Sequence, residues 1–205
     1  MNKTTSPATL RLFVALDIDD QTRQRLRETI TKLKTRDVEG SFKWVDSRNI
    51  HLTLKFLGDT PQSMKGNIQS AVSRALMKAA ITGALSPTID SLGAFPNLGR
   101  PRIVWAGLGG VDCETIVELA GTIDAELSSL GYPRESRAFT PHVTLARARD
   151  GADTRAIAHA LQSTQWKPHT TRIDTLALYS SELRPAGPVY TALTRWSFDK
   201  KDTDQ

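Results

Sequence analysis

Apolar positions along this chain switch between two periods. Leu12, Val14 and Leu16 alternate with Phe13 and Ala15, and both faces are largely apolar, which predicts a strand near the centre of a sheet. From Asp19 or Asp20 the interval lengthens: Leu26, Ile30 and Leu33 recur at helical spacing as far as about Lys34, with the aspartate as cap. Thr60-Pro61 predicts the next helix start, because proline at the first helical position gives up no needed hydrogen bond. Met64, Ile68, Val72, Ala75 and Ala79 would form its buried stripe. Short strands are expected over 88–92 and 103–108, on either side of a turn-rich stretch from Pro96 to Pro101. Asp112 opens a third helix carrying Ile116, Ala120, Ile123, Leu127 and Leu130, and Gly131 stops it. A shorter helix over 154–161 follows. Two closing strands, 172–179 and 189–196, are joined through Pro185-Ala186-Gly187-Pro188.

Two further strands carry the same four-residue pattern, His51-Leu52-Thr53-Leu54 and His142-Val143-Thr144-Leu145. Strand alternation sends Ile50, Leu52, Leu54 and Phe56 one way and His51, Thr53 and Lys55 the other. It likewise turns Val143 and Leu145 inward and leaves His142 and Thr144 on the open face. The repeat extends further. Ile89-Asp90-Ser91-Leu92 follows the first histidine strand as Ile173-Asp174-Thr175-Leu176 follows the second, and strand-helix pairs beginning at Leu12 and Ile103 precede them. Two βαβαβ-like halves of about ninety residues account for this order. The expected fold class is α+β: two lobes related by a pseudo-twofold axis, mainly antiparallel sheets, helices on the outer faces and a histidine strand on each wall of a central cleft.

At 205 residues the chain can bury one sizeable core, so residues 1–205 are read as a single bilobed domain, with 1–9 and 199–205 as solvated tails. The first nine residues lack the apolar stretch of a signal peptide, and no run approaches a membrane span, so the expected location is cytoplasmic. A single cysteine excludes an intramolecular disulfide framework. The formal charge of +5 favours anionic partners. Nothing demands more than a monomer.

Two imidazoles facing one cleft can act as acid and base together, since the ordinary histidine pKa of about 6.5 lets one be charged while the other is neutral. Two threonine hydroxyls between them can donate to the oxygens of a phosphate ester. Lys55, Arg147 and Arg149 are candidate cations. One His-x-Thr on a strand is commonplace; two, inside a longer repeat, point to shared chemistry. No metal site is expected, because the motif histidines have no carboxylate or cysteine at ligand spacing, and no cofactor is implied.

The paired motifs resemble the His-x-Thr-x motifs of the 2H phosphoesterases, and most closely those of the bacterial RNA 2′,3′-cyclic phosphodiesterases, also called 2′-5′ RNA ligases. Residues 11–16, 49–58, 102–105, 141–147, 178–181 and 190–193 are similar to that family's successive signatures. The resemblance implies hydrolysis of a terminal RNA 2′,3′-cyclic phosphate, or of a small cyclic nucleotide, to a 2′-phosphate. It implies His51 as proton donor, His142 as proton acceptor, and Thr53 and Thr144 as ligands of the phosphate. Arg147 matches an arginine that lies close to the bound nucleotide in the family. Strict alternation would turn it away, so that role requires the strand to end or bulge. The order of acid and base comes from the resemblance alone. Ligation or cleavage of 2′-5′ linkages, and an RNA-binding module without turnover, remain open alternatives.

Other features read as structure. Gly107-Leu108-Gly109-Gly110 suggests a tight strand-to-helix turn, since Asp112 would repel a pyrophosphate. His159 and His169 lack the threonine and are expected at the surface. Cys113 is expected as a plain helix residue. Of the tryptophans and phenylalanines, Trp44 and Phe13 are candidates to stack near the cleft.

Overall fold

The computed structural model describes residues 8–185 and 187–199. Among them the chain runs through β1 (Thr9–Leu16), α1 (Asp20–Lys34), β2 (Phe42–Trp44), β3 (Leu52–Pro61), α2 (Lys65–Ala79), β4 (Thr88–Phe95) and β5 (Ile103–Gly109). It continues through α3 (Cys113–Ser128), β6 (His142–Ala148), α4 (Arg155–Ser163), β7 (His169–Thr170), β8 (Thr175–Arg184) and β9 (Gly187–Ser197). One sheet has the order β3-β1-β8-β9 and the other β2-β6-β5-β4-β7. Every ladder is antiparallel. The expected α+β class with two antiparallel sheets is the class found.

The two-faced apolar strand is central as its pattern requires. β1 lies between β3 and β8, and Leu12, Phe13, Val14, Ala15 and Leu16 are all buried. Asp19 caps α1, its carboxylate accepting from the Thr22 amide at 2.7 Å, and Leu26, Ile30 and Leu33 go into the core. Thr60-Pro61 does not start a helix. β3 runs through Pro61, where proline at the end of an edge strand loses no ladder bond. A 3₁₀ turn over Gln62–Met64 then leads into α2, whose buried residues are Ile68, Ala71, Val72 and Ala75. Of the predicted tails, residues 1–7 and 200–205 lie outside the described residues, as does Ala186 of the predicted closing turn. Thr9 already belongs to β1, and Asp199 accepts from Arg172 at 2.6 Å.

The repeat holds, but its halves are not the lobes. α2 and α3 pack on each other and on the first sheet: Trp196 Nε1 of β9 donates to Ser73 of α2 at 3.0 Å, and Lys55 of β3 reaches Asp124 of α3. α1 and α4 meet over the second sheet, where Trp44 of β2 donates to Asp37 just after α1 and Trp166 donates to the Ile89 carbonyl of β4. Thus α1 leaves a strand of the first sheet to cover the second, and α3 does the reverse. β4 and β8, counterparts in the repeat, also cross over: each follows a helix of its own half and pairs with the strand opening the other half. Contiguous halves were the wrong reading because an apolar face has the same pattern whichever sheet it covers.

Candidate active site

Two matched irregularities shape the histidine strands. β3 pairs with β1 through Ala15↔Thr53 and then Val14↔Lys55, skipping Leu54; β6 pairs with β5 through Trp105↔Thr144 and then Val104↔Ala146, skipping Leu145. Each motif therefore ends in a β-bulge at its leucine, which puts two consecutive residues on the buried side. Leu54 with Lys55, and Leu145 with Ala146, are the buried pairs. The residues that follow, Phe56 and Arg147, swing to the open face together with His51, Thr53, His142 and Thr144. The bulge that the Arg147 assignment required is present.

His51 Nδ1 lies 2.7 Å from the Asn49 carbonyl, and His142 Nδ1 lies 2.7 Å from the Thr140 carbonyl. A carbonyl only accepts, so both rings donate from Nδ1, and both carry their reactive lone pair or second proton at Nε2. His51 Nε2 is 2.9 Å from the Thr53 hydroxyl. Burial is the main force on both rings and pushes both below the ordinary value of 6.5. The Asn49 and Thr140 carbonyls oppose that shift. The carboxylate of Asp17 also favours the charged form of His51, while the Arg147 guanidinium disfavours both imidazolium ions. Residues of β3 and β6 come within 8 Å of each other across the two sheets. The strands that carry the two motifs are thus neighbours across the sheets.

Aromatic side chains fix the rings laterally. Phe13 stacks on His51 with centroids 4.9 Å apart, and Tyr190 meets the same ring edge-on at 5.4 Å. Tyr179 stacks on Phe13 at 5.3 Å and donates its hydroxyl to Asp17 at 2.6 Å; burial and that carboxylate push its pKa up to about 12. A cavity of about 400 Å³ opens beside His51, bordered by Asp17, Arg48, Tyr179, Tyr190 and Arg195. A larger one, about 580 Å³, lies between α1 and α4 and touches neither motif. Around His142 the neighbours are Phe95, edge-on at 5.1 Å, and Trp105 at 6.3 Å. Trp105 lies over its cross-strand partner Gly93, where any Cβ would collide with the indole. Gly93→Ala is expected to displace the indole toward His142, destabilise the protein by about 1–3 kcal/mol, and lower turnover with a shift in tryptophan emission. Wild-type turnover and emission in that variant would show that Trp105 does not hold the ring.

The model of the 2′-5′ RNA ligase superfamily matches residues 19–184. The chain belongs to that superfamily. It is 31% identical over 188 residues to the RNA 2′,3′-cyclic phosphodiesterase of Methanothermobacter thermautotrophicus, covering 89% of this chain and 95% of that one. It is 32% identical over 194 residues to the RNA 2′,3′-cyclic phosphodiesterase of Thermus thermophilus, covering 92% and 90%. Among solved structures, a Thermus thermophilus protein superposes with a TM-score of 0.72 at 28% identity over 94% of this chain and all of the other. Escherichia coli LigT complexed with 3′-AMP gives 0.70 at 23% identity over 95% of this chain and all of that one, a likeness of fold.

In this member of the 2′-5′ RNA ligase superfamily, three of the residues expected at the cleft are elsewhere: Lys55, Arg149 and Trp44. Lys55 is 3% exposed and points away from the histidines, donating to Asp124 at 2.6 Å and the Pro133 carbonyl at 2.6 Å. Phe56, expected in the core, is 57% exposed beside Phe13. The Leu54 bulge exchanges the two. Arg149 does not join the cleft cations, since its Nε donates to the Gly40 carbonyl at 2.8 Å. Gly107–Gly109, expected in the strand-to-helix turn, are the paired end of β5, and the turn itself runs through Gly110–Asp112, with Asp112 in the left-handed region and accepting from the Ser86 amide. Cys113 donates to the Leu108 carbonyl, and burial raises its thiol pKa. Trp44 is tied to Asp37 on the helix side, away from the cleft. His159 is exposed on α4; His169 is half-buried in β7 beside Trp166. Among the described residues no three His, Cys, Asp or Glu side chains converge, and no helix is long and apolar enough to cross a membrane. Tyr179 and Tyr190 were not singled out as site residues. Their strand alternation alone could have placed them on the open face.

Proposed function

We propose that this protein hydrolyses RNA 2′,3′-cyclic phosphate termini to 2′-phosphate ends, with His51 and His142 as acid and base and no metal. The observation that carries this reading is the pair of motifs on facing strands, each with Nδ1 held by the carbonyl two residues back and Nε2 left for chemistry. The names of the curated relatives agree with it.

In the proposed step, His142 Nε2 takes a proton from water as its oxygen bonds to phosphorus. The bond from phosphorus to O3′ breaks, and His51 Nε2 delivers its proton to O3′. A 2′-phosphomonoester and a 3′-hydroxyl result, and the two rings return to their starting states by exchange with solvent. Two features support this order. Asp17 favours the charged form of His51 and not of His142, and His142 Nε2 has no hydrogen-bond partner among the described residues, which leaves it open to water. Thr53 and Thr144 hold the non-bridging oxygens, where charge gathers as phosphorus becomes five-coordinate, and Arg147, further along β6, lies close to the bound nucleotide. The aromatic wall around His51 suits a nucleoside.

The test is incubation of the full chain, with EDTA present, with an RNA ending in a 2′,3′-cyclic phosphate. A 2′-phosphate product supports the reading; a 3′-phosphate product, or none, refutes it. A free 5′-hydroxyl strand in a parallel reaction reports ligation, the same bonds made in reverse. The pH profile carries a signed expectation. The acid limb of kcat/KM appears where the base becomes protonated and the alkaline limb where the acid loses its proton. Burial depresses both rings, so both limbs should lie below about 6.5 and the maximum on the acid side of neutrality. An alkaline optimum would contradict the assignment of two half-buried histidines.

A further inference from the structure

Lys43 and Arg147 are direct cross-strand partners in the β2–β6 ladder. Their neighbours Phe42 and Trp44, paired with Ala148 and Ala146, turn toward the helices, where Phe42 is buried and Trp44 is tied to Asp37. Lys43 and Arg147 therefore both project from the cleft face, and both are exposed. Like charges directly opposite on a ladder repel each other. Nearby cations are relieved by acceptors: Arg102 by Asp150, Arg149 by the Gly40 carbonyl, Lys55 by Asp124. Among the described residues, neither Lys43 nor Arg147 has such a partner. An unrelieved pair of cations on the wall that carries His142 is a site arranged for an anion.

The scissile phosphate does not account for both. Arg147 stands two ladder steps, about 7 Å, beyond Thr144, and Lys43 lies one strand further out. The repeat sharpens the point. The counterpart of Arg147 on the first histidine strand is Phe56, and among the described residues β3 is an edge strand with nothing in the place of β2. At this position the first histidine strand carries an aromatic ring and the second a positive charge. A nucleoside on the first wall would direct its chain of phosphates along the second.

Building on the cyclic-phosphate reading, we propose that Lys43, together with Arg147, binds the phosphodiester that joins the terminal nucleotide to the one before it. The preferred substrate is then an oligonucleotide with a cyclic end rather than a mononucleoside 2′,3′-cyclic phosphate. Lys43 acts here as a specificity residue that never touches the reacting phosphorus.

The experiment compares kcat/KM for adenosine 2′,3′-cyclic phosphate with that for a dinucleotide bearing the same end. The dinucleotide is made once with a phosphodiester linkage and once with an uncharged methylphosphonate. Wild type should favour the phosphodiester dinucleotide, and Lys43→Ala should reduce its preference over the mononucleotide about tenfold, mainly through KM. Lys43→Arg should retain the preference. Wild type should lose at least as much of that preference on the methylphosphonate dinucleotide as Lys43→Ala loses on the natural one, because Arg147 then loses its contact as well. The salt dependence of kcat/KM on the dinucleotide should also flatten by about one phosphate contact. Because the substitution relieves a repulsion at an exposed position, its Tm should not fall. An unchanged preference in Lys43→Ala, or a methylphosphonate handled as well as the phosphodiester, overturns the proposal. Wild type inactive on all three substrates refutes instead the cyclic-phosphate reading beneath it.

Discussion

Alanine at His51 or at His142 is expected to lower turnover of cyclic-phosphate RNA by about 10²–10⁴-fold, the range for loss of a positioned general acid or base. RNA affinity should stay within several-fold, because neither imidazole is the main source of charge or stacking surface in the cleft. In the proposed mechanism both rings act in one bond exchange, so the two losses should not add. With either partner gone the concerted step is already lost, and the double variant should fall little below the poorer single one. Single-turnover rates at saturating RNA, with affinity measured separately, separate these effects. If both single variants still turn over near the wild-type rate, the acid-base assignment fails and the protein is an RNA-binding module or uses other groups.

Lys55→Ala should do the opposite, harming the fold rather than the chemistry. Its ammonium is buried and bonded to Asp124, itself 14% exposed, and to the Pro133 carbonyl; Glu135, 63% exposed, adds a third contact at 3.2 Å. Removing the cation strands a carboxylate and a carbonyl in the gap between β3, α3 and the segment leading to β6. Breaking a buried pair from one side costs about 3–5 kcal/mol, a Tm decrease of about 10 °C for a chain of this size. A Lys55→Met, Asp124→Leu double variant should recover much of that loss, since no buried charge is then left unpaired and Glu135 is exposed to water. Below its melting range Lys55→Ala should turn over like wild type. An intact Tm with lost turnover would return Lys55 to the catalytic face where plain alternation put it.

Much of the fold was legible because burial imposes period. β1 reads as a central strand from two apolar faces, α1 and α3 from stripes at three and four, and both histidine strands from alternation. The paired His and Thr were legible because they recur inside a longer repeat. What stayed hidden leaves no pattern. A bulge at Leu54 or Leu145 inserts no special residue, yet it exchanges the faces of the side chains that follow, in β3 until a second register shift at Leu57, so Lys55 and Phe56 were read to each other's faces. β2 is too short to show a period, and with it the place of Lys43 was out of reach. The crossing of α1 and α3 between sheets was hidden for another reason: a sequence records which face of a helix is apolar, not which sheet receives it.

The carbonyls of Asn49 and Thr140 have a consequence beyond choosing a tautomer. A flipped imidazole would forfeit its backbone bond and present carbon where nitrogen is required, so each ring is restrained from turning before any RNA arrives. On the proposed mechanism, the ordering that a mobile side chain would undergo on meeting its ester is completed during folding, and arriving RNA would find the proton donor and acceptor already aimed.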